Sequence, residues 1–312
     1  MHHPDGARSG SVEALLGRCT FPPQGSALTC AVSGGADSLA LLTLAVAAGC
    51  VVTAVHVDHG LRPGSATEAD VVADAASRLG AGFRAERVVI APGPSLEARA
   101  RAARFAVLPA GSATGHTMDD QAETILVNMM RGAGIDGLAG MQPGPLHPLL
   151  GIRRSDTRAL CRASGLVPVE DPSNLDPGFV RNRIRHELLP LACAIAGRDL
   201  VPVLARQAGL LAQEAGLLDD LAAALDPADA KSLAGAPRPL ARRAARRWLR
   251  GEGPHPPGLA AVERVLAVAS GDMVATDVAP GRRVRRSRGA LSLVPLDDRG
   301  AAPDASGSVR AR

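Results

Sequence analysis

The residues best placed to do chemistry lie in the hexapeptide SGGADS, at residues 33–38. An apolar run at residues 27–32 precedes it and a Leu/Ala-rich run at residues 39–48 follows it, which is typical of a buried strand leading into a helix. At such a turn the first N–H groups of the helix have no partner, and the helix dipole favours an anion. The pattern therefore predicts a loop that binds nucleotide phosphates.

The side chains of this loop refine the prediction. Gly34 and Gly35 would let the backbone approach phosphate oxygens closely. Asp37 cannot face a phosphate unless a cation lies between them, so it indicates Mg²⁺ or a cationic substrate. An isolated Ser-Gly-Gly also suits an ordinary glycine turn with helix capping, and the missing GKS or GKT ending disfavours a common P-loop NTPase. The candidate nucleotide-binding residues here are Ser33, Gly34, Gly35, Ala36, Asp37 and Ser38.

A second polar cluster, His56, Asp58 and His59, ends the next strand-like run. Because strand residues alternate between faces, His56 and Asp58 share a side that His59 need not share. A zinc site is the alternative, but the sequence indicates no fourth ligand. A position beside the nucleotide is therefore favoured for this cluster.

Acidic residues form a third cluster, in which Asp119, Asp120 and Glu123 follow His116. Acidic residues in a first helical turn ordinarily complement the helix dipole. Asp120 and Glu123 also share one helical face, and together with Asp37 they could form a pocket for Mg²⁺ or an ammonium group. Which carboxylate would bind which cation stays open.

A fourth cluster places Glu97, Arg101 and Arg104 on one face of a predicted helix at residues 96–108. A solvated salt bridge is the usual meaning of that spacing. Beside a phosphate-binding loop, the arginines could instead bind ATP phosphates or nucleic acid.

The elements that must position these clusters alternate between strand-like and helix-like over residues 1–195. This alternation predicts an α/β fold with a doubly wound parallel sheet, whose ligands bind at the carboxyl ends of the strands. From residue 196 the pattern is mainly helical, with leucines at seven-residue spacing and strand-like character near residue 295. We expect a smaller, mainly helical domain at residues 196–296 and a disordered tail at residues 297–312.

Composition limits the class of protein. A chain of 312 residues suits two domains, and a net charge of +4 permits a nucleic-acid partner. The segment from Arg238 to Arg288 holds 12 arginines against four acidic residues. Its stripe RRAARRWLR at residues 242–250 fits a phosphate footprint, although a solvated helix face is the alternative. With an aromatic content of 2%, base stacking cannot be the main source of RNA affinity.

The cysteines and apolar runs predict a location. Five scattered cysteines without CxxC spacing are typical of a reducing compartment. We recognise neither an apolar run of about 20 residues nor a signal peptide, so we expect a soluble cytoplasmic protein with no membrane partner. The oligomeric state stays open, with a homodimer as one option.

Taken together, the motifs resemble those of the tRNA(Ile)-lysidine synthetases, a family of the pyrophosphatase-loop (PP-loop) ATPase superfamily. The similarity covers about residues 27–191. It rests on SGGADS, VHVDHGLR, ExxARxxRF, GHTMDDQAET, RGAGIDGLAGM, HPLL, EDPSN and RNRIRHELLP. The resemblance implies an adenine nucleotide α-hydrolase-like fold.

The resemblance also implies a reaction. In that family, ATP adenylates carbon 2 of the wobble cytidine of an isoleucine tRNA with a CAU anticodon. The ε-amine of free L-lysine then displaces AMP and forms lysidine. Asp37, Asp120 and Glu123 would bind lysine and metal, with Asp37 and Asp120 as the Mg²⁺ ligands.

Further roles follow from the matching motif positions. The resemblance assigns Arg104 to catalysis, His56 and His116 with the loop to ATP, and Arg101, Asp58, Asn182 and Arg185 to substrate. Phe105 departs from the family, which often has tyrosine there, so any hydrogen bond made by that hydroxyl is lost.

Three rival functions are disfavoured. A tRNA thiolase of the same superfamily generally needs reactive or cluster-binding cysteines, and CxxC is absent. A non-catalytic nucleotide-binding regulator would not need every acidic motif position. A small-molecule synthetase of the amidotransferase type is opposed by the basic second domain and the lack of a glutaminase segment.

Overall fold

A computed structural model describes most of the chain. The described residues are 12–58, 60, 65–89, 93, 99, 102–103, 106–250 and 257–295. Several predicted features lie outside them, namely His59, Glu97, Arg101, Arg104, Phe105 and the tail at residues 297–312. The described residues form two compact units that divide between Ala212 and Gln213. The domain boundary after residue 195 stays a prediction.

The sheet of the first unit consists of β1 (Ala27–Ala31), β2 (Val51–Asp58), β3 (Gly82–Arg87) and β4 (Ala113–Thr114). All described pairs are parallel, in the order β3-β2-β1-β4. The chain moves from β1 towards β2 on one side and later returns to β4 on the other. The strand order therefore reverses at β1, and ligands bind beside such a reversal. The predicted α/β class with a parallel sheet is confirmed.

Helices connect and follow these strands. They are α1 (Val12–Leu16), α2 (Ala36–Ala47), α3 (Ser65–Leu79), α4 (Met118–Met130), α5 (Ile135–Leu138), α6 (Arg154–Ala163), α7 (Val180–Arg183), α8 (Leu189–Ala196) and α9 (Val201–Ala223), which contains the division between the units. A 3₁₀ turn at Pro172–Leu175 and a π-helical turn at Ile184–Leu188 complete the described elements of this unit.

The core of the first unit surrounds α2. Its side chains Leu39, Leu41, Leu42 and Leu44 are each 0% exposed, because the helix lies among β1, β2, α3 and α6. A helix that is apolar on nearly every side is stable only when it is enclosed in this way. Burial of α2 holds its first turn, with the SGGADS loop, at the carboxyl end of β1.

The second unit combines helices with a small antiparallel sheet. Its remaining elements are α10 (Ala230–Gly235), α11 (Arg238–Arg250), α12 (Leu259–Ser270), β5 (Ala275–Ala279), β6 (Arg282–Ser287) and β7 (Ala290–Pro295). The strands lie in the order β5-β6-β7, and Val262, Val265 and Val284 are buried in the shared core. The helical part confirms the prediction, and the sheet accounts for the strand-like character near residue 295.

No single helix in the described part of the chain has both the length and the apolar composition of a membrane span. The segments Val180–Ala196 and Val201–Ala223 meet those criteria only as a pair, and they are bent by 96° at their junction.

Candidate active site

The predicted phosphate-binding loop joins β1 to α2 as expected. Gly34 has a φ of +87°, a conformation that side chains disfavour, and its carbonyl accepts a hydrogen bond from Val169 N at 3.0 Å. Ser38 holds the loop closed, because its hydroxyl accepts from Ser33 N at 3.1 Å and donates to Gly35 O at 2.9 Å. Ser38 therefore maintains the shape of the loop at the start of α2.

A close approach fixes the loop on its other side. A Cβ added to Gly115, which follows β4, would lie 2.7 Å from the Asp37 carbonyl oxygen. Only glycine fits that distance, so the segment after β4 packs directly on the first turn of α2. The segments that follow β1 and β4 therefore lie against each other.

His56 lies on β2 with 2% of its surface exposed, and its Nδ1 is 3.0 Å from the carbonyl oxygen of Val32. Because a carbonyl only accepts, Nδ1 carries the hydrogen of this bond. The ring thereby ties β2 to the residue just before the loop. Within the described residues, Nε2 has no hydrogen-bond partner. Asp58 Oδ1 accepts from Gly60 N at 2.8 Å, which closes the turn after β2.

Arg154 brings the three predicted carboxylates together. It is the first residue of α6, and its guanidinium donates to Asp37 Oδ2 at 3.3 Å, Asp120 Oδ1 at 2.8 Å and Glu123 Oε1 at 3.0 Å. Asp37 begins α2, whereas Asp120 and Glu123 lie in α4. The predicted acidic pocket therefore exists as a cluster, with an arginine at its centre.

Arg185 closes the cluster from the π-helical turn. Its Nε and a terminal nitrogen contact the two Glu123 oxygens at 2.7 and 3.0 Å, and it lies 3.6 Å from Asp120. The Glu123 side chain is 1% exposed, so this contact is shielded from water. Arg181 Nε also lies 3.9 Å from Glu123 Oε2, so three guanidiniums face the three carboxylates. The substrate-binding role of Arg185 stays a prediction, since its described partners are these carboxylates.

The cluster moves two aspartate pKa values in opposite directions. Burial raises the pKa of Asp37, and the charge of Asp120 adds to this effect against the opposing Thr157 and Arg154. Burial also acts to raise the pKa of Asp120, but Arg154 and the hydrogen bond from Thr117 N outweigh it and lower that pKa. Asp120 is therefore held as an anion, while Asp37 accepts a proton more readily, a difference typical of acid–base sites.

Thr157 is a neighbour of this cluster that the sequence analysis missed, and Asp119 was named there only as part of the acidic cluster. Thr157, one turn along α6, donates its hydroxyl to Asp37 Oδ1. Asp119 accepts from Arg154 N at 2.9 Å and from Arg153 Nε at 3.0 Å, so it fixes the start of α6 against α4. Asp119 thereby places Arg154 in the cluster.

His116 lies after β4 in a small polar group. Thr114 Oγ1 is 2.6 Å from His116 Nδ1 and 2.9 Å from His147 Nδ1, and the two rings meet edge to face at 5.2 Å. His147 belongs to the HPLL motif and was not assigned a role from sequence. The Thr114 hydroxyl lies between the two rings, so the HPLL motif and the GHTMDDQAET motif meet here.

Asn182 is 8% exposed, and its amide donates to Ser173 O at 2.8 Å and to Asp176 O at 2.9 Å. Both hydrogens of the amide are therefore used to hold the segment from Ser173, in the EDPSN motif, to Asp176. The substrate-binding role of Asn182 stays a prediction, and the geometry favours an indirect role through that segment.

Among the residues that the structure describes, no three His, Cys, Asp or Glu side chains form a ready metal site. Mg²⁺ needs less from the protein when phosphates supply further ligands, because one or two carboxylates then suffice. Asp37 and Asp120 are such hard oxygen donors, and each already contacts a cation, Arg154. The donor set thus fits a Mg²⁺ ion that arrives with ATP.

Comparison with known proteins matches both parts of the chain to known domains. A profile of the PP-loop domain matches residues 11–192, and the TilS substrate binding domain matches residues 229–292. The structure resembles the U34-tRNA thiolase NcsA from Methanococcus maripaludis, with a TM-score of 0.52, 15% identity and coverage of 64% of this chain and 77% of the thiolase. At that identity the likeness shows the fold alone. The first unit is a PP-loop ATPase domain.

Curated relatives specify the family. The chain is 41% identical over 298 residues to the tRNA(Ile)-lysidine synthase of Nocardia farcinica, covering 88% of this chain and 93% of the relative. It is 45% identical over 235 residues to that of Rhodococcus erythropolis, covering 70% and 72%. The chain belongs to the tRNA(Ile)-lysidine synthase family. This confirms the family predicted from the motifs.

Proposed function

We propose that this chain uses ATP to join L-lysine to carbon 2 of the wobble cytidine of a CAU-anticodon isoleucine tRNA. The products are lysidine in the tRNA, AMP and pyrophosphate. One observation carries the proposal beyond family membership: Asp37, Asp120 and Glu123 gather beside the phosphate-binding loop. A nucleotide and a cationic amine can therefore meet at one edge of the sheet.

The loop and the start of α2 serve the first step. The cytidine O2 attacks the α-phosphorus of ATP, and the bond to pyrophosphate breaks with its electron pair. Backbone N–H groups preorganised at the helix start stabilise the charge that develops on the phosphates. Mg²⁺ bound by Asp37 and Asp120 would supply further neutralisation of that charge. Ser38 and His56 keep the loop in shape for this task.

The acidic cluster serves the second step. Asp120 and Glu123 bind the ε-ammonium of lysine, sharing their charge with Arg154 and Arg185. The amine must lose protons as its nitrogen bonds to carbon 2 and the C2–O bond to AMP breaks. A carboxylate that binds the ammonium group can also accept its proton. Adenylation makes this displacement feasible by converting a poor leaving oxygen into a phosphate ester.

The finer parts of the proposal concern partners and location. L-lysine, isoleucine tRNA and ATP with Mg²⁺ are the ligands, and the cytoplasm is the location.

The test is direct incorporation of label. The protein is incubated with ATP, labelled lysine and either isoleucine or methionine tRNA with the same anticodon, and label in RNA is counted. We expect label in the isoleucine tRNA alone, only with ATP, and its loss in Asp37→Asn. Asp70→Asn, on the exposed side of α3, is the matched control and should keep activity. Folded wild-type protein that labels neither tRNA would overturn the proposal.

A further inference from the structure

A two-residue turn between β6 and β7 has a backbone that its sequence disfavours. Ser287 pairs with Ala290, and between them Arg288 and Gly289 have φ values of +51° and +84°. Hairpin turns with two positive φ angles are normally Asn-Gly or Asp-Gly. Arg288 is the one non-glycine residue with positive φ among those described. A side chain kept in such a conformation points to a function when the fold does not use it.

Contacts within the described residues do not explain the position of the Arg288 side chain. Arg288 and Arg285 are exposed, and neither guanidinium has an ion pair or a hydrogen bond within the described residues. Other β6 arginines differ: Arg283 contacts Asp277 Oδ1 at 2.6 Å, and Arg286 donates to the Ala269 carbonyl at 2.9 Å. Internal contacts therefore explain those arginines but not the exposed pair.

The sheet keeps the exposed pair accessible. Val284 is 0% exposed, so strand alternation places Arg285 on the outer face, where its cross-strand neighbours are the small residues Ala275 and Ser292. On the other side of the turn, Ala230 N donates to Gly289 O at 2.9 Å. This brings the first turn of α10, with the exposed Lys231, next to the hairpin.

Part of the stripe on α11, in contrast, is engaged inside the second unit, as is the neighbouring Arg238. Arg238 and Arg242 contact Glu263, and Arg243 contacts Asp219. These ion pairs account for part of the basic stripe that the sequence suggested as a phosphate footprint. The hairpin arginines are therefore better candidates for that role.

We propose that Arg285 and Arg288 bind the phosphate backbone of the substrate tRNA. The proposal rests on the proposed function, which supplies the RNA. Guanidinium groups match phosphate oxygens in a bidentate way. Residues 275–295 contain no aromatic side chain on which bases could stack, so we assign the hairpin arginines to phosphates and not to bases.

The test compares Arg285→Gln, Arg288→Asn and the double variant with Arg242→Gln, which removes an internal ion-pair partner. Binding of isoleucine tRNA is measured between about 50 and 300 mM salt, with thermal unfolding alongside. Each hairpin change should lower the log–log salt slope by roughly 1, whereas Arg242→Gln should leave it unchanged. Arg288→Asn should unfold at the same or a higher temperature, because asparagine suits the turn.

An unchanged salt slope in the double variant would overturn the proposal. So would unchanged tRNA binding together with lost binding of polyglutamate, which would identify an acidic protein as the partner. In lysine incorporation, the double variant should raise KM for tRNA and keep kcat. The two proposals can fail separately. If wild-type protein incorporates no lysine but the hairpin variants still show the predicted change in salt slope, the proposed function is wrong and the RNA contact is supported.

Discussion

Replacing Arg154 with methionine should destabilise the first unit. Methionine fills similar space but removes the charge that three carboxylates share, at 3.3 Å from Asp37, 2.8 Å from Asp120 and 3.0 Å from Glu123. Arg185 would remain near Glu123 and, at 3.6 Å, near Asp120. Within the described part of the chain, Asp37 would keep its hydrogen bond from the Thr157 hydroxyl as its one remaining side-chain partner.

The size of the effect follows from burial. The side chains of Arg154, Asp37, Asp120 and Glu123 are 15%, 27%, 11% and 1% exposed, so the small values of surface ion pairs do not apply. Removing one partner of a buried ion pair costs about 3–5 kcal/mol. We expect that loss at pH 7 and a smaller loss for Arg154→Lys, whose compact ammonium cannot span three carboxylates.

The loss of unfolding free energy in the Arg154→Met variant should depend on pH. Arg154 lowers the pKa of both Asp37 and Asp120, so the methionine variant raises both values. The folded variant then binds protons that folded wild-type protein releases, and the stability difference shrinks as pH falls through the raised pKa values. In wild-type protein the pKa of Asp120 lies below its ordinary value, so its stabilising contribution is present above the ordinary pKa and is lost as pH falls through the lowered pKa.

Urea unfolding followed by circular dichroism measures the effect. The single tryptophan, Trp248, lies in the second unit, so its fluorescence reports that unit separately. Arg158→Met, at an exposed position of the same helix, is the matched control and should change stability by less than about 0.5 kcal/mol. Equal stability of the two methionine variants, or an equal loss at pH 7 and about pH 4.5, would refute the reasoning.

Three further predictions concern buried groups. Glu123→Gln should raise KM for lysine about 10- to 100-fold, because it removes one charged hydrogen bond. AMP transfer to tRNA without lysine should continue in single-turnover assays. Loss of that transfer would instead assign Glu123 to the metal. His56→Leu leaves the Val32 carbonyl unpaired and should lower the free energy of unfolding by about 1–3 kcal/mol in urea, and an unchanged midpoint would contradict the assigned bond. Burial raises the pKa of Cys30 to about 12 and that of Cys161 to about 11, so thiol reagents at about pH 8 should label them only after unfolding; rapid labelling of native protein would show that they are accessible.

Local sequence patterns were sufficient to predict several elements of the fold and the family. The strand, SGGADS loop and helix over residues 27–48 were predictable because apolar runs and glycine positions act over a few neighbouring residues. The family was predictable because its motifs recur in order along the chain, and the curated relatives confirm it. Fold class followed from strand–helix alternation, and the order β3-β2-β1-β4 agrees with it.

Distant contacts were not predictable in the same way. Arg154 lies 117 residues from Asp37 in sequence and is one of many arginines in this chain, so nothing local marks it as the centre of the acidic cluster. The spacing of the stripe on α11 suggested phosphate contacts, and it did not show that Arg242 contacts Glu263 on the next helix. Helical periodicity shows which residues share a face and not what lies against it.

The sequence by itself predicted which groups could take part in chemistry: a loop for phosphates, carboxylates for a cation and a basic second unit. Tertiary structure decided how these groups are used, because packing α6 against α2 places Arg154 between Asp37, Asp120 and Glu123 and sets which aspartate is held as an anion. It also decided which arginines have internal partners. Charge interactions depend on distance and burial, and both are set only when distant segments pack together.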